Sequence, residues 1–276
     1  MFGMLYVVAT PIGNLEDITL RAIRVLKEVD FIIAEDTRHT LKLLNHLEIS
    51  KPLISYYKQT EIVKTDKILD RIENGENVAL VSDAGTPGIS DPGEVIVKQA
   101  ISRGIRVIPV PGACASINAL IASGLDCKHF YFEGFLPVNK KERSERFEQI
   151  RYINSSIIFY EAPHKLRRTL EDIESVLGDR LVVLAKEITK IHEEFIRGRV
   201  SEVLDRLPEE IKGEFVIVLE GASQTKKEIE VQELNSLSLE EHYRFYAEQG
   251  LEKKEIVKRI AKDRNVAKNE IYQKFI

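Results

Sequence analysis

"VSDAGTPGISDPG", Val81 to Gly93, follows the run Asn77-Val78-Ala79-Leu80 and holds three glycines, two prolines, two aspartates, two serines and a threonine in thirteen residues. A strand that ends in a segment so poor in bulky side chains offers mainly backbone to whatever lies beyond it. Gly85 and Gly88 remove side-chain bulk and Pro87 sets the bend in advance. Outward from this stretch, Met4–Ala9, Phe31–Ala34, Val78–Val81 and Ile105–Val110 read as strands, with "PLISYY" a weaker one. Thr19–Val29, Thr40–Leu47 and Thr60–Asn74 carry helical periodicity. Asp91-Pro92 reads as a helix start, with Asp91 as N-cap and Pro92 at the first helical position, and Ala113–Ser123 as a buried helix rich in small residues. Strands that are apolar throughout, each followed by a helix, predict a parallel sheet covered on both faces.

A second α/β unit follows. "HFYFEGF" (129–135), Ser156–Tyr160, Leu181–Lys186 and Glu214–Gly221 read as strands, with helices over 140–153 and 163–177. The predicted organisation is an N-terminal α/β subdomain over 1–125 and a C-terminal one over 126–221. A polar linker over 222–237 and a module of three short helices over 238–276 complete it.

Composition bounds the function. At 276 residues, 43% hydrophobic and 30% charged, the chain is an ordinary globular protein. No apolar run reaches the ~18–20 residues that span a bilayer, and Met1-Phe2-Gly3-Met4 leads into a strand without a signal-peptide pattern. Cys114 and Cys127 are too few for a disulfide framework or a structural zinc site, and read as small buried hydrophobes. A cytoplasmic location with reduced thiols is the expectation. The net charge of −4 disfavours a broadly basic nucleic-acid surface, but it is uneven. From Leu251 onward eight Lys/Arg stand against four Asp/Glu, a net of +4 that leaves −8 for residues 1–250.

Open parallel sheets bind ligands beyond the carboxyl ends of their strands. Five stretches fall at such ends: "TPIGN" (10–14), "EDTRHT" (35–40), "SDAGTPGIS" (82–90), "PGACAS" (111–116) and "YEAPH" (160–164). No G-x-G-x-x-G follows the first strand, no Gly-Lys-Ser/Thr is present, and "HEEFI" at His192 lacks the second histidine of a zinc motif. There is no Gly-x-Ser-x-Gly elbow. What remains is a site of backbone groups and small side chains, suited to a neutral or zwitterionic ligand. Carboxylate spacing indicates no metal.

These strings, with "VATPIGNLEDIT", "EGFLP", "FYEAPHKL" and "KGEFVIVLEG" in the same order, resemble the ribosomal RNA small-subunit methyltransferase I family. That family is the rRNA 2′-O-methylating branch of the tetrapyrrole-methylase (class III) enzymes that use S-adenosyl-L-methionine. The resemblance covers residues ~4–221. It implies two α/β subdomains with the cofactor between them, a homodimer, and methylation of a cytidine ribose in the decoding centre of 16S rRNA within the small ribosomal subunit. By motif it places cofactor contacts on Pro11, Ser82, Asp83, Ala84, Gly85, Thr86, Ile89, Cys114, Ala115, Tyr160, Glu161 and Phe215.

A ribose hydroxyl needs a proton acceptor or a cation near the forming alkoxide. The candidates are Glu35, Asp36, Arg38 and His39 of "EDTRHT", with Lys186 and Glu187 as a further pair. Asp36 reads equally well as a helix cap. Lys140, Lys141, Arg143, Arg146 and Arg151 read as a solvated face, interleaved with glutamates, and His164, Lys165, Arg167 and Arg168 form a second basic cluster. The basic C-terminal helices, with Ile256, Ile260, Val266 and Ile271 buried, are the better candidate for RNA contact. The competing readings are a small-molecule, tetrapyrrole-type methyltransferase and a non-catalytic ribosome-binding factor.

Overall fold

The computed structural model describes residues 2–275. The chain divides into two compact units, Met1–Glu148 with Ser155–Glu220, and Gln149–Asn154 with Gly221–Ile276. The first unit holds two five-stranded sheets.

The first sheet is parallel throughout and runs β3-β2-β4-β1-β5. Its strands are β1 (Met4–Val8), β2 (Phe31–Ala34), β3 (Leu53–Ser55), β4 (Val78–Val81) and β5 (Arg106–Val110). Successive residues of one strand feed opposite cores, which is why these strands do not alternate in polarity. Phe31, Ile33 and Leu80 pack with Ile68, Leu69 and Ile72 of α3 (Glu61–Glu73) and Ile96 of α4 (Glu94–Ser102). Ile32, Ala34, Ala79 and Val81 pack with Ala22, Val25 and Leu26 of α1 (Leu20–Glu28) and Leu44 of α2 (Thr37–His46). Pro109, which has no N–H, sits in β5, paired only with β1 at the sheet edge.

The second sheet, β6-β7-β10-β8-β9, is mixed. β6 (Phe130–Phe135) runs parallel to β7 (Ser156–Glu161), and β10 (Phe215–Leu219) lies antiparallel between β7 and β8 (Leu181–Lys186). β9 (Glu194–Arg199), the segment just after His192, closes the far edge. α5 (Ala115–Ser123) joins the two sheets, packing Ala119 and Leu120 against Ile158, Val183 and Val216 of the second. Its small residues permit that close approach, although Ile117 and Ile121 on its other side are exposed. α6 (Lys140–Ile150), α7 (Pro163–Leu177) and α8 (Val200–Arg206) connect the remaining strands.

Several expectations are corrected. The helix expected to start at Asp91 starts at Glu94. Buried Glu61, from α3, accepts the Gly93 N–H at 2.9 Å and so takes over the capping role. α2 starts at Thr37 rather than Thr40, because the Asp36 carboxylate accepts the Arg38 N–H. Residues 226–236, expected in a linker, are helix α9 (Lys226–Ser236). A reciprocal cap nucleates it, in which Thr225 Oγ1 accepts from Glu228 N and the Glu228 carboxylate accepts from Thr225 N.

In the second unit Leu234 of α9 joins the core with Tyr246 of α10 (Leu239–Glu248), Ile256 and Ile260 of α11 (Lys253–Asp263), and Ile271 of α12 (Lys268–Gln273). Val266, expected in that core, is exposed in the turn between α11 and α12.

The basic clusters are also redrawn. Arg143 is buried, not solvated, and pairs with Asp172 at 2.7 Å. Arg146 pairs with Glu133, and Arg167 donates to the carbonyls of Leu204, Leu207 and Pro208. These arginines tie the second sheet to its helices. Cys127 is exposed rather than buried, and both cysteines are free.

Candidate functional site

A cavity of about 470 Å³, within the range of small-molecule sites, lies beyond the carboxyl ends of β1, β2, β4 and β5. One side is the Val81–Gly93 loop, and the other is built from β6, β7, β10 and the turn after β8. Backbone bonds lace the first side together. Thr10 N donates to Gly85 O at 2.8 Å and Gly85 N returns a bond to Thr10 O at 3.1 Å. Thr86 Oγ1 donates to Ala113 O at 3.0 Å, and Asp36 N donates to Asp83 Oδ1 at 3.0 Å. Four strand-end loops are thereby held as one surface. Gly85 sits at φ +81°, and a Cβ there would meet Ile12 Cγ2 at 3.1 Å, so the position demands glycine.

Backbone strain gathers here too. Ser90 lines the cavity at φ +66°, and Glu187 and Thr189, flanking the lining residue Ile188, have φ +51° and +70°. Across from the loop, Tyr160 Oη accepts the Ser116 N–H of α5 at 3.1 Å.

The electrostatics are one-sided. Among the described residues the lining includes Glu35, Asp83, Asp91, Glu161 and Glu214 but no Lys, Arg or His. Two of these carboxylates are satisfied nearby. Glu161 accepts from Thr169 Oγ1 at 2.7 Å, and Glu214 pairs with Lys190 at 2.8 Å. Glu35, Asp83 and Asp91 have no cationic partner in the lining. Burial and then the Asp83 and Asp36 charges raise the Glu35 carboxyl. Burial, with Glu35 and Asp83 adding repulsion, pushes Asp91 up to about 6. The expectation of a ligand without net charge is corrected: this cavity favours a cation.

Of the sequence candidates, the lining contains Glu35, Asp83, Ala84, Gly85, Thr86, Ile89, Cys114, Ala115, Tyr160, Glu161 and Phe215. Ser82 is buried beneath the loop, its Oγ donating to Gly85 O at 3.3 Å. Pro11 lies beside the lining residue Ile12. Asp36 caps α2 and clasps Arg38 at 2.7 Å, and the Arg38 side chain is 88% exposed. His39 follows them, exposed, in the first turn of α2. Lys186 pairs with Glu194 at 3.7 Å, while Glu187 accepts from Glu214 N at 2.8 Å and from Lys190 Nζ at 3.0 Å. Sequence reasoning missed Asp91, whose Asp-Pro-Gly setting reads as a cap, and Phe135 at the end of β6. The "EGFLP" string contained the signal for the latter.

A family model described as Tetrapyrrole (Corrin/Porphyrin) Methylases matches residues 4–204. The chain belongs to this family. Within it, the chain is 49% identical over 271 residues to Ribosomal RNA small subunit methyltransferase I of Halalkalibacterium halodurans, covering 98% of this chain and 93% of the relative. The Bacillus subtilis protein of the same description is 47% identical, with 99% and 94% covered. Among solved folds, diphthine synthase superposes with TM-score 0.62 at 14% identity, over 79% of this chain and 89% of that one. A Thermus thermophilus uroporphyrin-III C-methyltransferase, complexed with S-adenyl homocysteine, gives TM-score 0.54 at 19% identity, over 78% and 97%. The tetrapyrrole methylase fold, two α/β sheets with C-terminal helices, is therefore the fold of this chain.

Proposed function

We propose that this protein transfers a methyl group from S-adenosyl-L-methionine to the ribose 2′-hydroxyl of a cytidine in the decoding centre of 16S rRNA, acting as a homodimer in the cytoplasm on the small ribosomal subunit. The carrying observation is the peptide-walled, carboxylate-rich cavity, whose lining among the described residues has no basic side chain. It supports a cationic cofactor over an anionic one. The full-length relatives support the RNA reading over a tetrapyrrole one.

The residues fit the cofactor. Gly85 leaves room for a ligand to approach the backbone, the peptide groups of Ala84 to Thr86 offer donors and acceptors, and Asp83 and Asp91 supply negative charge. Ala115, at the N-terminus of α5, offers an N–H toward a carboxylate group. Tyr160, Ile12 and Phe215 wall the space. When bound, S-adenosyl-L-methionine supplies an electrophilic methyl on a sulfonium.

The chain's task is then to hold the hydroxyl in line and take its proton. Such alignment contributes about 7–11 kcal/mol in favourable systems. Glu35 and Asp91 are assigned as the proton-accepting pair, since both line the cavity and burial with neighbouring carboxylates raises both, Asp83 and Asp36 acting on Glu35 and Glu35 and Asp83 acting on Asp91. Arg38, exposed but clasped by Asp36, is assigned to a backbone phosphate outside the cavity. Lysines of α11 and α12 are assigned to further rRNA contact.

Incubation with radiolabelled cofactor and small subunits from an unmodified strain, followed by nucleoside mapping, tests the reading. Label in one 2′-O-methylcytidine is the expected result. Label on a base, on protein or nowhere overturns it.

A further inference from the structure

The charge of the lining limits how RNA could meet this cavity. Glu35, Asp83 and Asp91 face it with no cation in the lining, so a phosphate is repelled. A nucleotide presented here must be gripped through its neutral parts, the sugar and the base.

The opposite wall is shaped for that. Phe135 ends β6, lines the cavity and remains 60% exposed. A single exposed aromatic is ordinary; the structure behind this one is not. The β6–β7 register shifts between Phe132 and Gly134, and Gly134 adopts φ +74°. A Cβ at Gly134 would come within 3.0 Å of Ser90 Oγ, so the bulge both redirects Phe135 and sets it close to the Val81–Gly93 loop. Immediately after it, Leu136 is buried and Val138 is 70% exposed.

Buried Arg143 braces this turn. Its Nη1 reaches Pro137 O at 3.2 Å and Val138 O at 3.0 Å, while its Nε holds Asp172 at 2.7 Å. The only ring neighbour of Phe135 among the described residues is Tyr160, at 5.6 Å and 62°, and Tyr160 is braced in turn by Phe132 at 5.2 Å and 73°. Among the described residues no ring stacks face to face on Phe135. Phe135 at the cavity and Val138 just beyond it are thus left exposed on a turn fixed by Arg143 and a bulge.

We infer that Phe135, stiffened by the Arg143-held turn and flanked by Val138, is a stacking platform for an unpaired nucleobase of the RNA substrate, with its ribose over the cavity. The inference rests on the RNA reading proposed above. Bases stack on aromatic side chains with little sequence preference, and each such contact is worth ~1–3 kcal/mol.

The chain contains no tryptophan, so Phe135→Trp carries a unique fluorophore. With S-adenosylhomocysteine present, titration with a single-stranded oligocytidine RNA is expected to quench its emission saturably, while tripolyphosphate leaves it unchanged. Phe135→Ala is expected to raise the KM for unmodified small subunits about 5- to 150-fold, the equivalent of ~1–3 kcal/mol. Calorimetric affinity for S-adenosylhomocysteine should stay at the wild-type value, and Phe135→Tyr should restore KM. An emission spectrum indifferent to RNA, or an unchanged KM for Phe135→Ala, overturns the platform. So does a Phe135→Ala variant whose defect is a changed oligomeric state in sedimentation, which would make a second copy of the chain the occupant. If the wild-type protein methylates no RNA but the tryptophan is still quenched, the platform stands and the methylation reading falls.

Discussion

Between Asp83 and Asp91 the cavity wall is peptide and carboxylate; across from it Phe135, Tyr160 and Phe215 present aromatic rings. The first side derives its shape from glycine at positive φ and from backbone bonds between loops. The second derives it from a bulge and a buried arginine. A wall with ionised oxygens and exposed peptide groups discriminates by charge and hydrogen bonding. A wall of rings discriminates by shape and π-surface. The pairing suits a reaction that joins a cationic donor to a nucleoside.

The comparison breaks most sharply at Gly85. Gly85→Val places a branched side chain at φ +81° with Ile12 Cγ2 about 3 Å from its Cβ, and is expected to lower affinity for S-adenosylhomocysteine at least ~100-fold in calorimetry. Its circular dichroism should be native; normal binding would remove the peptide wall from the cofactor site. Next in size is the proton acceptor. Glu35→Gln combined with Asp91→Asn is expected to lower kcat by about 10²–10⁴-fold with KM for small subunits little changed. A kcat within threefold of wild type would place the base elsewhere.

On the scaffolding side, Arg143→Met leaves Asp172 unpaired and two carbonyls without their donor. Chemical denaturation should show a loss of about 3–5 kcal/mol, whereas Arg38→Ala on the exposed α2 turn should leave the transition where it is in the wild type. Equal costs would mean that Arg143 does not hold its turn.

Asp91 sharpens the comparison through pH. Its carboxyl, near 3.8 when unfolded and about 6 in place, binds its proton more tightly in the native state. Its contribution therefore favours the fold in acid and is lost as pH rises from about 4 to about 6. Asp91→Asn should accordingly melt higher than wild type above pH 6, by on the order of 1 kcal/mol once its partial solvation is discounted, with no advantage below pH 4. A gain that persists at low pH would show that burial and repulsion of the ionised carboxylate are not the cause. Smallest of all, Lys254→Ala with Lys258→Ala on α11 should raise KM for small subunits a few-fold and reduce its salt slope by about two. An unchanged slope would remove α11 from the RNA contact.

Where each element repeats a simple period, it was legible. The apolar strands of the first sheet follow from burial on both faces, and Pro163–Leu177 matches its expected limits because Pro163 and Gly178 punctuate it. Capping from a distance was not legible. Asp91-Pro92 has the composition of a helix start, yet Glu61, thirty-two positions from Gly93, takes the N–H that defines the helix entry. The linker reading failed for a related reason. A polar, lysine- and glutamate-rich stretch looks solvated until Leu234 meets Tyr246 and Ile260.

For this protein the order of short apolar strands, the punctuation by Gly and Pro and the motif strings determined the fold class, the ligand-bearing sheet edge and most of the cavity's first wall. Those are properties of local composition and period, which a chain carries wherever it is read. Only the tertiary structure decided that Asp91 turns into the cavity, that Arg143 and Arg146 serve the scaffold, and that Phe135 is left facing outward beside a ring of carboxylates. Each of these depends on pairing residues from different strands and helices, and charge or exposure at such distances is set by the packing that brings them together.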